Sequence, residues 1–189
     1  MNTKSVLQRI TINIVTSIAL IGSAYAAPID GKTTVTLPVV TPDQQIAQKV
    51  ASAILRNPYY SLFDWITGNV KDGVVTLEGS IRSIERKEDY SKLSQNVPGV
   101  KKVVNNLTVL PNSPFDDQIR LAAARAIYRD SSLLDLQIQP NAPVHIIVDH
   151  GKIALEGVVT NAMERQLAET DVRTHTMSFE VVNHLATGM

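Results

Sequence analysis

Two glutamates, Glu78 and Glu156, stand 78 positions apart in the same setting, Leu77-Glu78-Gly79 and Leu155-Glu156-Gly157. Paired carboxylates can do general acid–base chemistry, but only when both reach one cleft. These two hold equivalent places in separate copies of a repeat, so solvated carboxylates at strand ends are the preferred reading. His145, Glu156 and His184 form a second set. Strand parity places His145 and Glu156 opposite each other on the outer face of a hairpin, with His184 facing the same way from a later strand. Two imidazoles and a carboxylate can hold zinc. The first copy carries Thr67, Glu78 and Asn106 there, so such a site would belong to the second copy alone. Metal sites usually show closer ligand spacing. A solvated sheet face is therefore preferred, and neither a metal nor another cofactor is expected. The chain shows no Ser-His-Asp arrangement, glycine-rich phosphate loop or metalloprotease motif, and no enzymatic activity is expected.

Binding residues are sought among the apolar ones. Tyr59, Tyr60, Phe63 and Trp65 cluster in the first copy and have no aromatic counterparts in the second. One reading has them complete a small core or the contact between the copies, and it is preferred. The other has them form an exposed patch that enters a lipid interface, where Trp and Tyr are favoured. In the second copy, Ile147, Ala154, Val182 and Ala186 make the outer sheet face apolar, which would suit a protein partner with Ile147 at its centre.

The repeat itself sets the elements that position these residues. Gly73-Val74-Val75-Thr76-Leu77-Glu78-Gly79 is answered by Gly151-Lys152-Ile153-Ala154-Leu155-Glu156-Gly157, and Val103-Val104-Asn105-Asn106-Leu107 by Val181-Val182-Asn183-His184-Leu185. Thr41-Pro42-Asp43-Gln44 reads as a capping box, and Ser113-Pro114-Phe115-Asp116 repeats it with an acid at the third helical position. Ile46, Val50, Ala53 and Ile54 then form an apolar stripe, matched by Ile119, Ala123, Ala126 and Ile127. Alternation through Ile66, Val70, Val75, Leu77 and Ile81 predicts a hairpin turning at Lys71-Asp72-Gly73. Val144, Ile146, Val148, Ile153, Leu155 and Val159 predict another, turning at Asp149-His150-Gly151. Gly73 and Gly151 suit the left-handed residue of a turn with a bulge. A second helix follows in each copy, patterned by Tyr90, Leu93 and Val97 and, out of step, by Met163, Leu167 and Val172. A last strand spans residues 100–109 and 179–186. The fold class is α+β: two tandem α-β-β-α-β units, each a small sheet with two helices on one face.

The predicted organisation is a signal peptide at 1–26, a flexible lead at 27–40, one unit at 41–110, a linker at 111–115 and a second unit at 116–189. Lys4 and Arg9 precede a mostly apolar run from Ile10 to Ile21, and Ala24-Tyr25-Ala26 supplies the small residues a signal peptidase reads. That run is shorter than the ~20 residues of a membrane span. Loss of residues 1–26 removes two cations and no anion, leaving 16 basic and 18 acidic residues. This balance argues against a nucleic-acid partner. The chain has no cysteine, so disulfides and thiol chemistry are excluded. Units of about 70 residues bury only roughly 60% of their unfolded surface, and the two are expected to pack on each other.

Asp72-Gly73-Val74-Val75-Thr76-Leu77-Glu78-Gly79, Val97-Pro98-Gly99-Val100 and Val103-Val104-Asn105-Asn106-Leu107 resemble the BON family, named for bacterial osmotically inducible and nodulation proteins. The second copy resembles it through Pro143-Val144-His145-Ile146-Ile147-Val148, Leu155-Glu156-Gly157 and Val181-Val182-Asn183. It departs where Met177-Ser178 replace Gly-Val, which predicts a distorted last crossover. The resemblance covers residues 43–186. It implies a non-catalytic periplasmic or secreted module that binds a phospholipid surface or an envelope protein and responds to osmotic or envelope stress. It carries no catalytic residue over.

Overall fold

The computed structural model describes residues 12–13, 41–137, 139 and 141–188. The signal-peptide and lead expectations fall almost wholly outside the described residues. Within them, each half of the chain builds an α+β unit of one plan. The first comprises α1 (Pro42–Leu55), β2 (Trp65–Lys71), β3 (Val74–Ile81), α2 (Ile84–Gln95), β4 (Lys102–Asn105) and β5 (Thr108–Val109). A two-residue strand, β1 (Ile12–Asn13), pairs antiparallel with β2 at Thr67 and Gly68. The second comprises α3 (Pro114–Arg129), a 3₁₀ turn (Ser131–Leu133), α4 (Leu134–Gln137), β6 (Val144–Asp149), β7 (Lys152–Val159), α5 (Ala162–His175), β8 (Glu180–Asn183) and β9 (Ala186–Thr187). Helix α3 begins inside the 111–115 stretch read as linker, because Ser113 caps it by accepting from the Asp116 N–H at 3.2 Å.

In each unit the hairpin is antiparallel and its second strand is central. The last strand returns parallel to it in two pieces. The expected single strand breaks because an asparagine side chain takes over at the bend. Asn105 donates to Lys87 O (2.7 Å) and accepts from the Leu107 N–H (3.1 Å). Asn183 donates to Arg165 O (2.9 Å) and accepts from the Leu185 N–H (3.0 Å). Each thus ties the sheet edge to the helix above it and supplies backbone groups that the ladder no longer pairs.

The caps form as the sequence demands. Thr41 and Gln44 bond reciprocally at 3.2 and 2.8 Å, so two of the orphan amides at the α1 N-terminus are satisfied. Ile46, Val50 and Ile54 enter the first core with Ile66, Val75, Leu77 and Ile81. Ile119, Ala123 and Ile127 enter the second with Ile146, Ile153 and Leu155. Met163 is 73% exposed; the inner face of α5 is Ala168 and Val172, which removes the apparent mismatch between the second helices. The predicted distortion at Met177-Ser178 takes a definite form. Helix α5 runs on to His175 and Thr176 leaves it extended, whereas α2 stops at Gln95 and Gly99 turns with φ 97°. Both routes end alike, with the Lys101 N–H on Gly73 O and the Phe179 N–H on Gly151 O, each at 2.8 Å.

The hairpin turns differ from expectation. Lys71 pairs Val74 and Asp149 pairs Lys152, so each loop has two residues, and both lie at positive φ: 54° and 80° for Asp72 and Gly73, 49° and 77° for His150 and Gly151. That is a type I′ turn, not a bulge. An aspartate in the first helix clamps each turn. Asp43 accepts from the Asp72 and Gly73 amides at 2.7 and 3.0 Å; Asp116 accepts from those of His150 and Gly151 at 3.1 and 2.8 Å. Asp116 is buried and Asp43 half-buried. Charge-assisted bonds to a carboxylate contribute more when water cannot compete. Asp116→Ala should therefore cost about 2 kcal/mol and Asp43→Ala about 1 kcal/mol, read as shifts in urea midpoint; equal costs would contradict the burial argument.

Candidate functional site

The residues expected to bind a lipid or a partner converge on the joint between the two units. Trp65, on the outer face of the first sheet, forms a buried cluster with Leu110 and with Ile147 from the outer face of the second, and Ala154 packs against them. Trp65 and Ile147 are each 8% exposed. Leu62 and Phe63 pack against the second core, while Tyr60 packs against the first and meets Tyr90 edge-on at 6.4 Å. The joint thus uses the aromatic cluster as the contact between copies. Trp65 and Ile147 are covered and not offered to solvent, because each unit alone leaves one apolar sheet face bare. Tyr59 remains 62% exposed, beneath the Arg86 guanidinium at 5.7 Å.

The loop ahead of β2 also closes the edge of the second sheet. The Ile146 N–H donates to Leu62 O at 2.7 Å, so part of the free edge of β6 is satisfied from the other unit. Asp64 holds that loop in shape. Its carboxylate is fully buried and accepts from the Ser61 N–H (3.1 Å), the Ser61 hydroxyl (2.8 Å) and the Arg82 N–H (2.9 Å). Arg86 lies 3.3 Å from it and also donates to Tyr59 O at 2.8 Å. Arg86 thus reaches back from α2 to hold the loop. Across the joint, Arg82 pairs with Asp117 at 2.8 Å. The same Asp117 oxygen holds the buried Arg120 at 2.8 Å.

The three candidate metal ligands part company. His145 and Glu156 are cross-strand partners, and His184 Nδ1 lies 2.7 Å from Glu156 Oε1, as parity required. His145, however, is 3% exposed, with its ring 5.1 Å from Trp65 and 5.4 Å from Tyr60. Among the described residues no group of three potential ligands could hold a metal ion. Glu78 and Glu156 lie in separate sheets, as equivalent strand residues. The glycine after each allows a close crossing: a Cβ on Gly79 would lie 2.1 Å from Trp65 O, and on Gly157 2.0 Å from Pro143 O.

One exposed apolar group lies at the turn end of the second unit. Phe115, at the start of α3, packs on Phe179, just before β8, with centroids 5.7 Å apart. Phe115 is 38% exposed, Phe179 74% and Met177 70%. The pair covers the Gly151 turn, where an added Cβ would meet Phe179 at 2.6 Å. The first unit has Pro42 and Lys101 in the corresponding places, lining a shallow hollow with Asp43, Asp72 and Gly99. Sequence comparison of the copies held this signal, since aromatics stand in the second where the first has none. No helix of the described residues is long and apolar enough to cross a membrane.

The comparisons with known proteins bear on family. No curated protein matches significantly. Solved structures similar to this chain include two of CdsD, a structural protein of the type III secretion system of Chlamydia trachomatis. One, of its C-terminal domain, is 15% identical with a TM-score of 0.31, over 75% of this chain and 65% of that one. The other is 14% identical with a TM-score of 0.30, over 76% of this chain and 92% of that one. The BON domain model matches twice, over residues 42–111 and 116–188, and those two stretches hold the two α+β units: the chain belongs to the BON domain family, with one domain in each half.

Proposed function

We propose that the protein is a non-catalytic module of the bacterial envelope that docks on a phospholipid surface through the apolar end of its second domain. The observation that carries this reading is the exposed group of Phe115, Met177 and Phe179. Solvent-facing aromatic and thioether side chains at the tip of a unit gain by entering the interfacial layer of a bilayer. Close to them, Lys152 is paired with Glu180 at 2.9 Å and Asp149 is hydrogen-bonded to the His150 ring at 2.6 Å. Insertion of apolar side chains, more than attraction to anionic lipid, would then supply the affinity. The signal-peptide pattern of residues 1–26 supports export to the periplasm, and the BON family supports a binding role without catalysis.

Co-sedimentation of the purified protein with zwitterionic and anionic vesicles tests this. Binding to both is expected, with modest salt dependence. Phe179→Glu combined with Met177→Glu should weaken it at least tenfold, since burying one such side chain is worth about 1.5–3 kcal/mol. Trp65→Phe should leave it intact. No binding of the parent protein to either vesicle would overturn the lipid reading and make an envelope protein the occupant of that surface.

A further inference from the structure

The joint between the domains contains a group that its packing does not need charged and cannot hold charged. His145 projects from β6 of the second domain between two rings of the first, Tyr60 and Trp65. It is 3% exposed, and its Nδ1 has no hydrogen-bond partner. A cation there would lose water and gain little. The Asp64 carboxylate attracts it, but both Asp64 oxygens already serve Ser61, Arg82 and Arg86. Glu156, its cross-strand neighbour, is bonded to His184. The buried Tyr60 hydroxyl is held neutral, its pKa pushed up by burial first and by the Asp64 charge second. The rings tilt at 45° and 49° to the imidazole, and no carboxylate is free to answer a proton.

We propose that His145 is a protonation switch for the joint: uptake of one proton by its ring parts the two domains and uncovers the apolar surface of Trp65, Leu110 and Ile147. Burial, against the smaller opposing effects of the Asp64 and Ser61 backbone and the Asp64 charge, lowers the His145 pKa to about 4. With the joint open the ring meets water and titrates near its ordinary value of about 6.5. Between those values the open form binds more protons than the closed form. The closed joint is therefore fully favoured well above pH 6.5 and loses ground as pH falls, by about 150-fold in the closed-to-open ratio at pH 4 and about 300-fold at the acid limit. The Arg82–Asp117 pair spans the same joint, and variants of His145 separate its contribution from that of the imidazole. This switch is independent of the lipid reading, and its test contains no lipid.

Trp65 is the chain's one tryptophan and touches His145 directly, so its emission reports the joint. The purified protein is titrated from pH 7.5 to 4 with fluorescence and far-ultraviolet circular dichroism read together. A red shift of Trp65 emission below pH 6 with retained secondary structure is expected. It should vanish in His145→Phe, and in His145→Gln should Phe fail to fold. Three results would overturn the proposal: unchanged emission down to pH 4, the same acid shift in both variants (which would assign the response to Asp64 or Asp117), or loss of secondary structure in step with the shift.

Discussion

Gly157→Ala is expected to cost the second domain about 3 kcal/mol or more, and Gly79→Ala to do the same to the first. Two effects combine. Gly157 sits at φ 124° and Gly79 at φ 118°, where an L side chain is strained by roughly 1–2 kcal/mol. In addition the new Cβ would meet backbone: Pro143 O at 2.0 Å and Pro143 C at 3.1 Å for Gly157, Trp65 O at 2.1 Å for Gly79. A flexible side chain could swing away, but here the hairpin partner itself must move. For the second domain that partner is β6, which carries Ile146 and Ile147 and is tied to Leu62 by a backbone bond. A domain of this size holds only about 5–15 kcal/mol in all, so the loss should show as a large drop in guanidinium midpoint. Gly188→Ala is the control, since its nearest neighbours lie 3.7 Å away and its φ is ordinary. An unfolding free energy for Gly157→Ala within about 1 kcal/mol of the parent would refute the close-crossing account.

That prediction explains why so much of the fold was legible. Leu-Glu-Gly recurs because the glycine serves a backbone crossing, and the glutamate between is carried along on the solvent side. Alternation along the hairpins gave the inward faces correctly, from Ile66 through Ile81 and from Val144 through Val159. Parity also placed His145 and Ile147 on the outer face of the second sheet. What parity does not contain is the identity of the thing that covers an outer face. Trp65 and Ile147 face away from their own cores and towards each other, and only the relative pose of the domains reveals this. Asp64 was overlooked for a related reason: its partners Ser61, Arg82 and Arg86 come together through folding, and no periodic pattern marks a buried carboxylate. Asp43 and Asp116 did leave a trace. The first helices repeat at an offset of 73, as Ile46 and Ile119 show, while the strands repeat at 78. Superposing the copies at the helix offset would have paired the two aspartates. The difference in offset is five residues inserted after α3, where Leu133 and Leu136 bring a short helical turn into the second core.

Asp64→Ala carries the other large expected effect, about 3–5 kcal/mol, because it removes one partner of a buried, multiply bonded charge. The Ser61 and Arg82 amides would be left without their acceptor, and Arg86 would lose its anion. The loop from Tyr59 to Asp64 would then lack the bonds that shape it, and that loop delivers Leu62 to Ile146 and frames His145. The damage should therefore appear first at the joint: Trp65 emission should redden at pH 7, before any denaturant is added, and the unfolding midpoint should fall. Asp64→Asn should lie between the two, since an amide oxygen can still accept from an N–H but cannot neutralise Arg86. Glu88→Ala makes the contrast. Its ion pair with Lys92 has side chains 71% and 66% exposed, and solvent screening should leave no measurable change. If Asp64→Ala left both Trp65 emission and the midpoint unchanged, the joint would have to be held by the Trp65, Leu110 and Ile147 contact and the Arg82–Asp117 pair alone. The loop would then be a passenger. His145, whose Nδ1 has no partner, would then owe the cost of its protonation to burial against the Tyr60 and Trp65 rings.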